Sequence, residues 1–140
     1  MAKKNYNFVH INQSATIVEQ AGAAIEDCRN RIMKYDENGK VVLATAGTDI
    51  PLGICLIESG YNDISGATSG KVAVGDDVDM LIKDIGMVLA GASIKKGQEV
   101  AAGAEGKAAV AVAGDHVIGI ALDNAEADEY LAVQIVKYKA

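Results

Sequence analysis

Apolar residues in this chain come in short runs, set apart at close intervals by turn-forming residues. Val41–Ala46, Leu52–Ile57, Lys71–Val74, Val78–Lys83, Gly86–Ala90, Ala108–Ala113, Val117–Leu122 and Leu131–Val136 are rich in β-branched and small apolar side chains. Between them stand Asp36-Glu37-Asn38-Gly39, Ser69-Gly70, Gly75-Asp76-Asp77, Lys96-Gly97, Glu105-Gly106 and Gly114-Asp115. Short strands with regular turn punctuation predict an all-β fold, a small sandwich or barrel. Pro51 opens its run, where a missing N–H is tolerable. One stretch has a different period: Ile17, Ala21, Ile25, Cys28 and Ile32 recur at helical spacing over Ala15–Met33.

A repeat decides that stretch. Gly39 and Gly106, and likewise Gly47 and Gly114, stand 67 positions apart, and Gly53 and Gly119 stand 66 apart. The intervening lysine, alanine-glycine and Gly-Ile-x-Leu positions recur in the same order. The match extends upstream, with Ala24–Cys28 against Ser93–Gly97, and downstream, with Asp77–Ile82 against Tyr130–Ile135. Residues 24–35 therefore lie opposite the non-helical Ser93–Ala102, and strand and loop are expected there. The chain reads as an N-terminal arm (1–14) and one β domain (15–140). Its repeat halves are approximately 23–88 and 89–140, each too short to bury a core comfortably alone.

Composition and charge narrow the function classes. The chain of 140 residues carries 13 basic and 19 acidic side chains, a net charge of −6, and no Trp. A net negative surface without a basic stripe argues against nucleic acid as a partner. No apolar run approaches the roughly 20 residues that cross a bilayer, and no apolar stretch follows the first lysines, so no membrane partner and no signal peptide are expected. Cys28 and Cys55 with His10 and His116 match no zinc spacing, so buried thiols are expected and neither a metal nor a cofactor.

Candidate chemistry is sparse. Gly66–Lys71 and Gly103–Lys107 lack the spacing and the following hydroxyl of a phosphate loop, and read as hairpin turns. Asp115-His116 could form an acid–base pair, but the repeat sets Asp49-Ile50 in its place. The carboxylates of Asp76, Asp77, Asp79, Asp123, Glu126, Asp128 and Glu129 gather in turns and lack the ladder of a calcium loop. No enzyme is expected. Turns such as Val74–Val78 also occur in biotinyl and lipoyl carriers, where Lys83 would be the nearest modified lysine.

The run Gly114–Ile135, with Val117-Ile118-Gly119-Ile120-Ala121-Leu122 followed by small and polar residues and then Leu131-Ala132-Val133, resembles the capsid decoration (cement) proteins of tailed bacteriophages. Ile94-x-x-Gly97-x-x-Val100 and Gly106-Lys107 fit the same pattern. The resemblance covers about residues 88–137, and residues 38–85 through the repeat. It implies a small β-domain that forms a homotrimer and binds the major capsid protein of an expanded shell, bridging capsomers. It also implies a protein made in the host bacterial cytoplasm and carried on the virion surface.

Residues 1–14 lie outside the repeat and hold the one Phe, a Tyr and two lysines of an otherwise acidic chain. Lys3, Lys4, Asn5, Tyr6, Asn7, Phe8 and Val9 are the candidate capsid-binding residues, because Tyr6 and Phe8 alternate with polar residues as in a strand added to a partner's sheet edge. An ordinary first strand of the domain is the competing reading. Two other functions remain open on sequence: a carbohydrate- or host-surface-binding β module displayed on a particle, and a lipoyl- or biotinyl-like carrier.

Overall fold

A computed structural model describes residues 14–56, 59–61, 64–65 and 69–140. The fold is all-β, with two five-stranded antiparallel sheets. The first sheet holds β1 (Thr16–Gln20), β2 (Ile32–Tyr35), β3 (Val41–Leu43), β4 (Gly53–Cys55) and β5 (Asp77–Leu81), in the order β1-β5-β4-β2-β3. The second holds β6 (Ile85–Leu89), β7 (Glu99–Ala102), β8 (Ala108–Val110), β9 (His116–Ala121) and β10 (Tyr130–Lys139), in the order β6-β10-β9-β7-β8. The two orders are the same order, five strands on. The repeat in the sequence is thus a repeat of topology.

The registers let each residue be matched with a twin. Met33 pairs with Leu43 as Val100 pairs with Val110, and Cys55 pairs with Met80 as Ala121 pairs with Val133. Single bridges recur too: Ala21 to Val41 and Ile25 to Val72 match Ala90 to Ala108 and Ile94 to Ala125. Sequence alone sets Cys28 against Gly97, whereas the structure sets Asn30 there. Both Asn30 and Gly97 are left-handed (φ 57° and 89°), and the N–H of each bonds a twin carbonyl, Cys55 or Ala121. Two extra residues in the first half, between Ile25 and Asn30, account for the slip.

Several expectations need correction. β1, β2 and β7 are strands that the apolar runs did not mark, and Lys71–Val74 is held by single bridges at Lys71 and Val72 rather than as a strand. The sheets change over between Leu81 and Ile85, with β5 in the first and β6 in the second. Ala15–Met33 is extended chain and turns, not helix, as the repeat requires.

Each half has its own apolar core. Ala21, Ile25, Met33, Val41, Cys55, Val72, Val78 and Met80 cluster in the first, and their twins Ala90, Ile94, Val100, Ala108, Ala121, Ala125, Leu131 and Val133 cluster in the second. The second cluster also takes in Ile32, Ala44 and Ile54 from the first half. Full burial of an isoleucine side chain contributes about 1.5–3 kcal/mol, so Ile32 and Ile54 do much to fasten the halves together.

The halves are stacked face to back. A Cβ built on Gly86 would lie 2.6 Å from Leu81 Cδ2 and 3.2 Å from Ile54 Cδ1. Leu81 and Ile54 are cross-strand partners whose pair-mates on either side, Met80 and Cys55, face the first core. Gly86 pairs with Val133, which faces the second core. At Ile54 and Leu81 the outer face of the first sheet therefore rests on the inner side of the second, while the same face of β1 stays open.

Candidate functional site

Asp115 and His116 occupy a turn and are each tied into it by backbone hydrogen bonds. The Asp115 carboxylate accepts the Val112 N–H at 3.0 Å, and the His116 N–H donates to the Gly47 carbonyl at 2.8 Å. Its twin Asp49 accepts from Thr45 and Ala46 in the same manner. Both acids are turn caps, which explains why the aspartate recurs and the histidine does not.

Asp49 also accepts a hydrogen bond from Lys34 at 2.9 Å. Burial opposes its charge, but the backbone bonds and the Lys34 ammonium outweigh that and hold the carboxyl down at about 2. Beside this pair is a cleft of about 600 Å³ lined by Tyr35, Ile50, Leu52 and Lys137. Lys137 is exposed, donates to the Leu52 carbonyl, and has its pKa lowered by partial desolvation. The cleft is open, and it marks where the tail of β10 crosses the first half.

The two thiols come together. Cys28 and Cys55 are fully buried in the first core, and Cys28 Sγ lies 3.8 Å from the Ser59 carbonyl oxygen. Hydrogen bonding to Cys28 and burial push the Cys55 thiol far up, so it stays protonated. Among the described residues no group of three or more His, Cys, Asp or Glu could hold a metal ion, and no helix is long and apolar enough to cross a membrane.

The candidate capsid-binding residues Lys3–Val9 lie outside the described residues. The described chain begins at Ser14, and the Ala15 carbonyl already accepts the Ile82 N–H at 2.8 Å. Residues 1–13 therefore join the domain at β1, an edge strand of the first sheet. The two glycine-lysine sites end in turns: Lys71 bridges to Tyr61, and Ala104–Gly106 forms a short 3-10 turn.

The twins expose a feature that sequence reading missed. On the outer face of β1 and β5 the cross-strand pairs are Thr16 with Leu81, Val18 with Asp79 and Gln20 with Asp77. Their twins on β6 and β10 are Ile85 with Gln134, Met87 with Ala132 and Leu89 with Tyr130. The same place in the same fold is acidic in one sheet and uncharged and largely apolar in the other. The signal was present in the downstream repeat match, where Asp77 and Asp79 stand against Tyr130 and Ala132.

This two-sheet fold has a counterpart among solved structures. It is similar to the crystal structure of head fiber gp8.5 N base in bacteriophage phi29, with a TM-score of 0.63 at 21% sequence identity. The match covers 89% of this chain and 96% of that one. What the two share is the fold. No protein-family model matches the chain, and no curated protein matches it by sequence.

Proposed function

We propose that this chain is a structural protein of a bacteriophage head, which binds the outside of the expanded shell and stabilises it by bridging capsomers. The observation that carries the reading is the likeness of nearly the whole fold to a phage head fiber base. The decoration-protein pattern of Gly114–Ile135 supports the same reading from the sequence side. The major capsid protein is then the partner, and the chain acts as a homotrimer without turnover.

The mechanism is mechanical. A ligand that binds only the expanded shell shifts the equilibrium toward that state by mass action. Many copies fixed on a lattice make individually modest contacts sufficient. The test is co-sedimentation of the purified chain with expanded and unexpanded heads of its phage, followed by electron microscopy of the decorated particles. Saturable binding to expanded heads alone, with raised resistance of those heads to heat, is expected. Absence of binding to expanded heads overturns the reading.

A further inference from the structure

We propose that the outer face of β6 and β10 is the surface on which a second copy of this chain docks. The inference deepens the self-association in the proposed function and rests on that part of it alone.

The face is built from Ile85, Met87 and Leu89 on β6 and Tyr130, Ala132 and Gln134 on β10, which stand opposite one another in register. Ile85 is 61% exposed, Met87 43% and Tyr130 56%. Single exposed apolar residues are ordinary, but a contiguous group on one face marks an interaction surface. The twin face supplies the control. With the same strands, order and twist, β1 and β5 place Thr16, Gln20, Asp77 and Asp79 in solvent or at its edge. Folding alone therefore does not require Ile85, Leu89, Tyr130 and Ala132 at these positions.

Two observations identify the occupant as another copy. The first is continuity with an interface the chain already makes. Ile54 and Leu81, which seat the first sheet on Gly86, open at the seam into a groove of about 420 Å³ lined by Leu56, Ile85 and Met87. The apolar contact between halves thus runs out onto the exposed face. The contact between halves is also heterologous. Gly106 packs on the Ile32 carbonyl and Gly47 on the Asp115 carboxylate, whereas their twins Gly39 and Gly114 meet nothing within 4 Å. An interface of this kind uses different surfaces on its two sides and leaves one of each free.

The second observation is charge. Each copy carries −6, so copies repel unless they meet where no like charges face one another. The six facing residues of β6 and β10 carry none.

The test compares Met87→Lys with Val18→Lys, the same substitution at twin positions. Sedimentation equilibrium is run on the full chain over a wide concentration range, with circular dichroism as the check on folding. The expected result is one oligomeric mass for the unaltered protein and for Val18→Lys, and a drop to the 14.5 kDa of a single chain for Met87→Lys. Should Met87→Lys fail to fold, Tyr130→Lys at the exposed end of the face gives the same reading. An unaltered protein that is already a monomer, or a folded Met87→Lys that keeps the oligomeric mass, overturns the inference. Head binding separates this from the broader reading: an oligomer dispersed by Met87→Lys that never binds heads leaves the docking face standing and removes the head protein. A monomer whose head binding Met87→Lys destroys assigns the face to the shell and overturns a second copy as its occupant.

Discussion

Gly119 stands so close to Gln134 across the β9–β10 pair that a Cβ on the glycine would lie 2.1 Å from the Gln134 carbonyl oxygen. Its twin Gly53 has the same relation to Leu81, at 2.4 Å. No real Cβ sits at such distances from backbone, so the two central strands must separate to admit one. Gly119→Ala and Gly53→Ala should each destabilise the fold by about 1–3 kcal/mol, the usual range for overpacking. Urea unfolding midpoints would show it, and values like those of a surface substitution would contradict the close approach.

Acid should weaken the protein through Asp49. Its folded-state pKa of about 2 lies below the ordinary 3.8, so its contribution is complete above about pH 4 and is lost as pH falls toward 2. Asp49→Asn cannot titrate and also loses its charge partner Lys34. It should be less stable than the unaltered protein at pH 6 and converge on it near pH 2. Denaturation curves measured at intervals over that span check this; parallel losses in both proteins would show that Asp49 is not the group responsible.

Cys28 and Cys55 should resist thiol reagents in the folded protein and react at once in denaturant, since both are buried and the Cys55 thiol is held protonated. Cys55→Ala places in the first core the residue that its twin, Ala121, already supplies in the second. A loss of about 1 kcal/mol is expected, at the low end for removing a buried group. Rapid labelling of the native protein would show that the core opens readily.

The left-handed turn before β10 has Asp128 where the turn before β5 has Gly75, at φ 68° and 89°. Asp128→Gly relieves roughly 1 kcal/mol of backbone strain. It also forfeits the 2.9 Å pair with Lys107, which at an exposed site contributes about 0–1 kcal/mol. The variant should unfold within about 1 kcal/mol of the parent. Gly75→Ala has open space around it, yet should lose roughly 1–2 kcal/mol from conformation alone.

We propose Lys3–Val9 as the capsid contact from their alternation of aromatic and polar residues, so deleting residues 2–9 should leave a folded oligomer that no longer binds expanded heads. Retained binding by the truncated chain would move that contact to the β domain.

The glycines made much of this fold legible. Gly39, Gly53, Gly106 and Gly119 sit where a turn or a close approach admits little else, so the repeat survives most clearly there, and strand ends could be read from it. β1, β2 and β7 were harder. In β1, Thr16, Val18 and Gln20 turn to an open face and break the apolar run, while Glu99-Val100-Ala101-Ala102 offers too little bulk to announce a strand. The false helical period arises because a strand, turns and single bridges send Ile17, Ala21, Ile25 and Cys28 to the first core, while Ile32 points to the second. The apolar face of β6 and β10 escaped notice because half of it comes from each of two strands 40 residues apart in the sequence.

Stacking one sheet's back on the next one's core gives the molecule polarity. The first half seats Ile54 and Leu81 against Gly86, and the second half turns the exposed face of β6 and β10 away from that contact. A body built by a two-fold contact would show the same surface both ways and could not tell inside from outside. This one can take a different neighbour at each end, so a copy set down on a curved surface has a defined top and bottom.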